Sequence, residues 1–138
     1  MIKRGRASMN PENILKGKVQ TVLGPISPED LGPTLMHEHL LFDLTPPGSL
    51  LSEGEETEIS LENVWGIRYH WNRHPGNYRL NDEDLAVREL RRMKEDGGGA
   101  VVEQTSRGMK RDPSGLRRVA EKAGVHIIMG CGYYEEDS

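Results

Sequence analysis

Two histidines separated by a single residue, His37 and His39, are the side chains in this sequence best suited to bind a metal ion. They lie in the largely apolar stretch 34–42, which predicts an extended segment. Because side chains alternate along a strand, His37 and His39 project from the same face, and Glu38 points the other way. Two neutral imidazoles that converge in this way form half of a zinc site. A structural pair of histidines that binds no metal is the alternative.

Another pair of histidines has the spacing of ligands on a helix. His70 and His74, on either side of Trp71, are four residues apart, but Pro75 and Gly76 would end any helix at that point. This segment is therefore predicted to be an exposed loop rather than a second metal cluster.

Three further reactive side chains have structural interpretations that are favoured over functional ones. Glu103 lies on a predicted strand and is more readily explained as a buried or ion-paired carboxylate than as a metal ligand. His126 stands among apolar residues and is expected to be a hydrogen-bonded strand histidine. Cys131 is interpreted as a small residue in a tight turn, because no base that could activate a thiol nucleophile is identifiable.

The elements that must position these residues are clearest in the second half of the chain. Residues 100–105 predict a strand, and Asp112 followed by Pro113 predicts the start of a helix that ends at Gly124. Residues 125–130 predict the next strand. Strand, helix and strand joined in this way make a βαβ unit with parallel strands, so the protein is assigned to the α/β class with functional residues at the carboxyl ends of its strands.

Two further elements precede this unit. Residues 18–23 alternate in polarity and stop at Gly24 and Pro25, which predicts a short strand that enters a turn. Asn81 is predicted to cap a helix that ends in a left-handed exit at glycines 97–99. The apolar face of that helix is predicted to consist of Leu85, Ala86, Leu90 and Met93.

Composition limits the partners and the compartment. The 138 residues include 18 Lys and Arg against 22 Asp and Glu, a net charge of −4 with no basic block, which argues against nucleic acid or an anionic membrane as partner. No apolar run approaches the ~18 residues needed to cross a bilayer. A single cysteine cannot form an internal disulfide, so a soluble, cytoplasmic protein is expected. Residues 1–16 are predicted to be a loose, disordered tail rather than a secretory signal.

Residues 32–40 (GPTLMHEHL) resemble the first-strand signature of the phosphotriesterase family, in the amidohydrolase superfamily. The similarity extends over residues 17–134 and is closest to the phosphotriesterase-related branch of the family. Further motifs occur in the family's order at residues 59–65, 89–90, 97–105, 111–112 and 124–134.

This resemblance implies a (β/α)8 TIM barrel with a binuclear metal centre, usually of zinc, at the carboxyl ends of its strands. His37 and His39 match the first-strand ligands of the more buried metal. Tyr134 matches an aromatic residue that lies near the substrate pocket in the family; two tyrosines that cap the end of a barrel are the alternative. No residue of the chain is assigned a catalytic role.

The remaining metal ligands of the family come from later strands, which have no counterpart in this sequence. A complete barrel needs ~250 residues. Residues 17–138 are therefore expected to form the N-terminal part of such a barrel, truncated after the third strand. Alone, they are expected to lack the catalytic rate of the family.

The implied function is that of a metal-dependent hydrolase acting on small-molecule esters. A metal-activated hydroxide would attack a phosphotriester, a lactone or another carboxylic ester. The alternative is a catalytically inactive fragment that associates with another chain, including a second copy of itself, and so covers an exposed sheet edge. A mononuclear metal protein of unrelated fold is a third possibility, which parallel strands at 34–41, 100–105 and 125–130 would exclude.

Overall fold

The structure of the protein is a computed structural model that describes residues 15–45, 59–69 and 74–132. Its strands are β1 (Val19–Thr21), β2 (Gly24–Ile26), β3 (Thr34–Glu38), β4 (Phe42–Asp43), β5 (Arg79–Leu80), β6 (Ala100–Glu103) and β7 (His126–Met129). Its α-helices are α1 (Val64–Tyr69), α2 (Glu83–Glu95) and α3 (Pro113–Ala123). Short 3₁₀ helices occur at Pro28–Asp30, Pro75–Asn77 and Arg107–Met109.

A three-stranded sheet with β6 between β3 and β7 forms the centre of the described part of the chain. Both pairings are parallel, with Thr34 opposite Ala100 and Ala100 opposite His126. The three parallel strands confirm the prediction made from the sequence and exclude the unrelated fold. The α/β class is likewise confirmed.

The βαβ unit forms where the local signals predict it. Asp112 has extended backbone angles, and its side chain accepts a hydrogen bond from the amide of Gly115 at 2.9 Å. Pro113 occupies the first turn of α3, and Gly124 ends the helix in the left-handed conformation with φ of 66°. The predicted cap, first-turn proline and terminal glycine are therefore confirmed.

The start of α2 differs from the prediction by one residue. Asp82, rather than Asn81, is the capping residue, because its extended backbone allows its side chain to accept from the amide of Leu85 at 2.9 Å. The left-handed exit is confirmed at Gly97, with φ of 94°. The prediction of the buried face was incomplete, since Val87 is buried, whereas Leu85 and Met93 are half-buried.

The extended segment predicted at 34–42 is divided in two. β3 ends at Glu38, and the backbone amide of Leu40 donates to the carboxylate of Glu103 at 3.3 Å instead of continuing the sheet. Leu40 and Leu41 then turn into the core. The chain becomes extended again in β4, which pairs antiparallel with β5.

The first turn of the described region lies earlier than predicted. Gly24 and Pro25 belong to β2, which pairs antiparallel with β1, and the chain reverses at Val22 and Leu23. The hydroxyl of Thr21 closes this hairpin, because it accepts from the amide of Leu23 and donates to the carbonyl of Gly24. The side chain of Thr21 therefore places the turn two residues before the Gly-Pro pair.

The core lies between the central sheet and the two longer helices. α2 packs against α3, and α3 packs against β7. Val101, Leu116 and Ile127 are fully buried at the centre of this apolar cluster. The cluster therefore fixes the sheet against α3 and sets the positions of the strand ends.

None of the helices in the described part of the chain combines the length and the apolarity that crossing a membrane requires.

Replacing Leu116 with alanine tests how much this core stabilises the fold. Leu116 is 0% exposed, so Leu116→Ala should lower the free energy of unfolding by about 2–5 kcal/mol through lost burial and cavity formation. Leu61, which is 90% exposed, provides the matched control, and Leu61→Ala should change stability by less than about 0.5 kcal/mol. Urea unfolding followed by circular dichroism measures both. Equal effects of the two variants would contradict the assignment of the core.

Candidate metal site

The two histidines lie at the edge of the sheet where β3 and β6 both end. His37 is on β3, and His39 is one residue beyond its end. The register shifts between the Leu35–Val101 pair and the Glu38–Glu103 pair, so β3 contains one more residue than β6 over this interval. Such a bulge changes the directions of side chains near a strand end.

His37 and His39 are neighbours, as their spacing predicts. Their ring centroids are 5.4 Å apart, and the ring planes meet at 67°. His37 is exposed, whereas His39 is half-buried. The two imidazoles are therefore close enough to bind one metal ion together. Their role as metal ligands stays a prediction.

His39 forms a hydrogen-bonded contact with residues at the end of β6. Its Nδ1 atom lies 3.0 Å from the hydroxyl oxygen of Thr105. That hydroxyl in turn donates a hydrogen bond to the carboxylate of Glu103. Glu103 is fully buried, which agrees with the structural interpretation of this residue. The signal for Thr105 was present in the sequence, because it is two residues after Glu103 and so lies on the same face of an extended chain.

The chemistry of the donors fits a divalent metal such as zinc, but only in part. Imidazole nitrogens are common zinc ligands, and a zinc site usually has four ligands. The contact of Nδ1 with Thr105 leaves Nε2 of His39 as the ring nitrogen that could bind a metal. Within residues 15–45, 59–69 and 74–132, no group of three or more His, Cys, Asp or Glu side chains could hold a metal ion. The described residues thus offer two of the donors that zinc requires.

A small apolar cavity adjoins His39. Its volume is about 150 Å³, and it is lined by His39, Phe42, Leu44 and Met109. The rings of His39 and Phe42 are 6.0 Å apart in an edge-to-face arrangement. This cavity could not be predicted from the sequence, because β4 and the segment after β6 meet only in the folded chain. It provides space for a small apolar group beside the candidate ligand.

A charged group fastens the two segments that line this cavity. The carboxylate of Asp43 accepts from Lys110 Nζ at 2.8 Å and from the amide of Thr45 at 2.8 Å. Partial burial acts to raise the pKa of Asp43, but the hydrogen bonds from Lys110 and Thr45 outweigh it and lower the pKa to about 2. Because Lys110 follows Met109 directly, this ion pair links β4 to the segment that supplies Met109.

The other predicted residues lie elsewhere. Tyr134, proposed to contact substrate, and His70 lie outside the described residues. His74 is in a local turn, where its Nδ1 atom accepts from the amide of Gly76 at 3.1 Å. His126 is half-buried in β7, and Cys131 is an exposed free thiol. The structure brings none of the last three together with His37 and His39.

The fold and the site together define a class of protein. It is a parallel α/β protein with two neighbouring imidazoles at the carboxyl end of its first parallel strand. The chain belongs to the phosphotriesterase family, whose family model matches residues 17–138. The resemblance noted in the sequence is therefore confirmed.

Similar proteins include hydrolases and a ligand-binding protein. N-acetyltaurine hydrolase of Rattus norvegicus is 47% identical over 125 residues, which cover 87% of this chain and 36% of that protein. The crystal structure of a resiniferatoxin-binding protein from Rhodobacter sphaeroides is 38% identical with a TM-score of 0.72, over 88% of this chain and 36% of that one. The phosphotriesterase from Mycobacterium tuberculosis is 26% identical with a TM-score of 0.54, over 86% and 30% of the respective chains.

The chain thus spans 36% of the length of the curated relatives that it matches. Members of the phosphotriesterase family are TIM barrels, so the three parallel strands correspond to a part of that architecture.

The ion pair of Asp43 predicts a specific dependence of stability on pH. Because the pKa is about 2 in the folded protein, below the ordinary value of 3.8, ionised Asp43 contributes stability above pH 3.8 that is lost as the pH falls toward 2. Asp43→Asn should therefore lower the free energy of unfolding by about 1 kcal/mol near neutral pH, an amount reduced for partial solvent exposure. The difference from the wild type should disappear near pH 2.

Urea unfolding at several pH values measures this effect. Asp30→Asn, at the exposed end of the 3₁₀ helix Pro28–Asp30, is the matched control and should leave the pH dependence of the wild type unchanged. A constant difference between Asp43→Asn and the wild type from neutral pH to pH 2 would contradict the role given to the ion pair.

Proposed function

We propose that this chain supplies the first strands, and two metal ligands, of a metal-dependent hydrolase with a TIM barrel fold. The proposed ligands are His37 and His39, with zinc as the metal. The observation that carries the proposal is the pair of adjacent rings, 5.4 Å apart, at the end of a parallel strand. Membership of the phosphotriesterase family supports it.

A zinc ion held by these imidazoles would lower the pKa of water to near neutrality and polarise the carbonyl or phosphoryl oxygen of the substrate. The contribution of this chain is positional. His37 and His39 would hold the metal at the open edge of the sheet, and Thr105 would orient the ring of His39. Phe42 and Met109 would keep the neighbouring space apolar.

We propose an N-acyl amide, of the type of N-acetyltaurine, as the substrate. The relative named for N-acetyltaurine hydrolysis is 47% identical to this chain, whereas the phosphotriesterase is 26% identical. The cavity of about 150 Å³ beside His39 supports this choice, because an acetyl methyl group could occupy it while the carbonyl remains near the metal ligands. Phosphotriesters and lactones, which the sequence resemblance suggested, are the competing substrates.

A second candidate function is that of an inactive partner in an assembly. β3 is an edge strand of the three-stranded sheet in the described part of the chain. On it, Leu35 is 47% exposed and Met36 is 68% exposed. Apolar side chains on an open strand edge favour association with another chain. Size-exclusion chromatography with zinc analysis separates the two functions, since a metal-free oligomer supports the second and a zinc-loaded species supports the first.

Zinc binding tests the proposed ligands directly. The purified chain should bind zinc, and His37→Ala or His39→Ala should each weaken binding by at least about 10-fold, because each removes one of a small number of donors. His126→Ala is the matched control, since His126 lies on β7 away from the site, and it should leave the affinity unchanged. Isothermal titration calorimetry provides the measurement. Equal affinities in all three variants would exclude these ligands.

Hydrolysis of four substrates tests the proposed chemistry. The protein expressed in its natural host should have a higher zinc-dependent kcat/KM for N-acetyltaurine than for a γ-lactone or a phosphotriester. Met109→Phe should narrow the cavity and lower kcat/KM about 10-fold for N-acetyltaurine, but less for N-formyltaurine, which lacks the methyl group. A preference for either ester, or an equal loss with both amides, would refute the assigned substrate. Residues 1–138 alone are expected to show no turnover.

A further inference from the structure

A buried line of hydrogen bonds lies behind the candidate ligand His39. Glu103 and Thr105 are both 0% exposed, although both are polar. The hydroxyl of Thr105 donates to Oε1 of Glu103, and its oxygen lies 3.0 Å from Nδ1 of His39. The side chain of Thr105 therefore connects the buried carboxylate of Glu103, at the end of β6, to the imidazole of His39, which follows β3.

The contacts of Glu103 determine the direction of these hydrogen bonds. Its Oε1 accepts from the amide of Leu40 at 3.3 Å, and its Oε2 accepts from the amide of Thr105 at 3.2 Å. Both oxygens of Glu103 thus act as acceptors, and the hydroxyl of Thr105 is the donor of the hydrogen bond to Oε1. The single hydroxyl proton of Thr105 must therefore point toward Glu103.

The direction of the last hydrogen bond follows from this. With its proton given to Glu103, the oxygen of Thr105 can only accept from His39. In the neutral ring the proton is then on Nδ1, and the lone pair of Nε2 is free. A metal binds an imidazole through such a lone pair, and a hydrogen bond from the other ring nitrogen fixes the tautomer and the orientation of the ring.

We propose that Glu103 and Thr105 are positioning residues that hold His39 as the Nδ1–H tautomer and direct its Nε2 atom toward the metal. The role of this tautomer in metal binding rests on the proposed function. The tautomer itself is a property of the metal-free chain. If the hydroxyl of Thr105 served only to satisfy the carboxylate of Glu103, its removal would not change the tautomer of His39.

Nitrogen-15 NMR of the metal-free protein labelled at histidine distinguishes these roles. At about pH 8, where imidazole side chains are neutral, His39 should have a protonated Nδ1 and an unprotonated Nε2. Thr105→Val, which keeps the shape but removes the acceptor, should abolish this bias. Thr105→Ser should restore it. The ring signals of His126 should be the same in all variants, because His126 lies on β7 outside this hydrogen-bonded line.

Glu103→Gln tests the direction of the hydrogen bonds. A glutamine amide can donate to the oxygen of Thr105, so the hydroxyl proton becomes free to point toward His39. The Nε2–H tautomer should then become the major form, and zinc affinity measured by calorimetry should fall by about 10-fold or more.

The outcomes separate this inference from the proposed function. An Nε2–H tautomer of His39 in the wild type would overturn the inference. So would a Thr105→Val variant in which His39 keeps the same tautomer as in the wild type. These measurements do not depend on the stability of any one variant, because the wild type and Thr105→Ser test the same claim. If His39 is the Nδ1–H tautomer and the chain binds no zinc, the proposed function is wrong and the arrangement of Glu103, Thr105 and His39 stands.

Discussion

The parallel pairing of β3 with β6 is the constraint on which the candidate site depends. Parallel strands end at the same edge of a sheet, so the residues that follow them meet there. The amide of Gln104 donates to the carbonyl of Glu38 at 2.8 Å, which extends the ladder to the ends of both strands. His39 and Thr105 come directly after these residues and are therefore within hydrogen-bonding distance. An antiparallel arrangement would place them at opposite ends of the sheet.

The helices support this edge from one side of the sheet. α3 connects β6 to β7, and its buried residues pack against β7 in an apolar cluster that also contains Val101 of β6. Arg118 on α3 donates to Glu83 on α2 at 2.6 Å, and this hydrogen bond lowers the pKa of Glu83. The pair is exposed, so its contribution to stability is small compared with that of the apolar core. Packing, rather than surface charge, therefore holds the strand ends in register.

The sequence was sufficient for features that depend on neighbouring residues. The cap and the exit of α3 and the parallel pairing of β6 with β7 follow from local rules, whereas the place of β3 in the parallel sheet was implied by the resemblance to the family. The end of β3 at Glu38 does not, because the amide of Leu40 bonds to a carboxylate 63 residues away. The pairing of β4 with β5 also joins distant segments. The contact of Thr105 with His39 escaped prediction for the same reason, although the burial of Glu103 was anticipated.

Glu103 connects the stability of the fold with the geometry of the site. A buried carboxylate without partners is strongly unfavourable, so its hydrogen bonds are required for the fold. Its donors come from both strand ends, namely the amide of Leu40 after β3 and the amide and hydroxyl of Thr105 after β6. The same contacts that satisfy the carboxylate fix the direction of the Thr105 hydroxyl and, through it, the ring of His39. An apolar residue at position 103 could fill the space, but it would leave the amide of Leu40 without this acceptor and the orientation of the imidazole unspecified. A carboxylate at this position therefore meets a structural need and a functional one with a single set of hydrogen bonds.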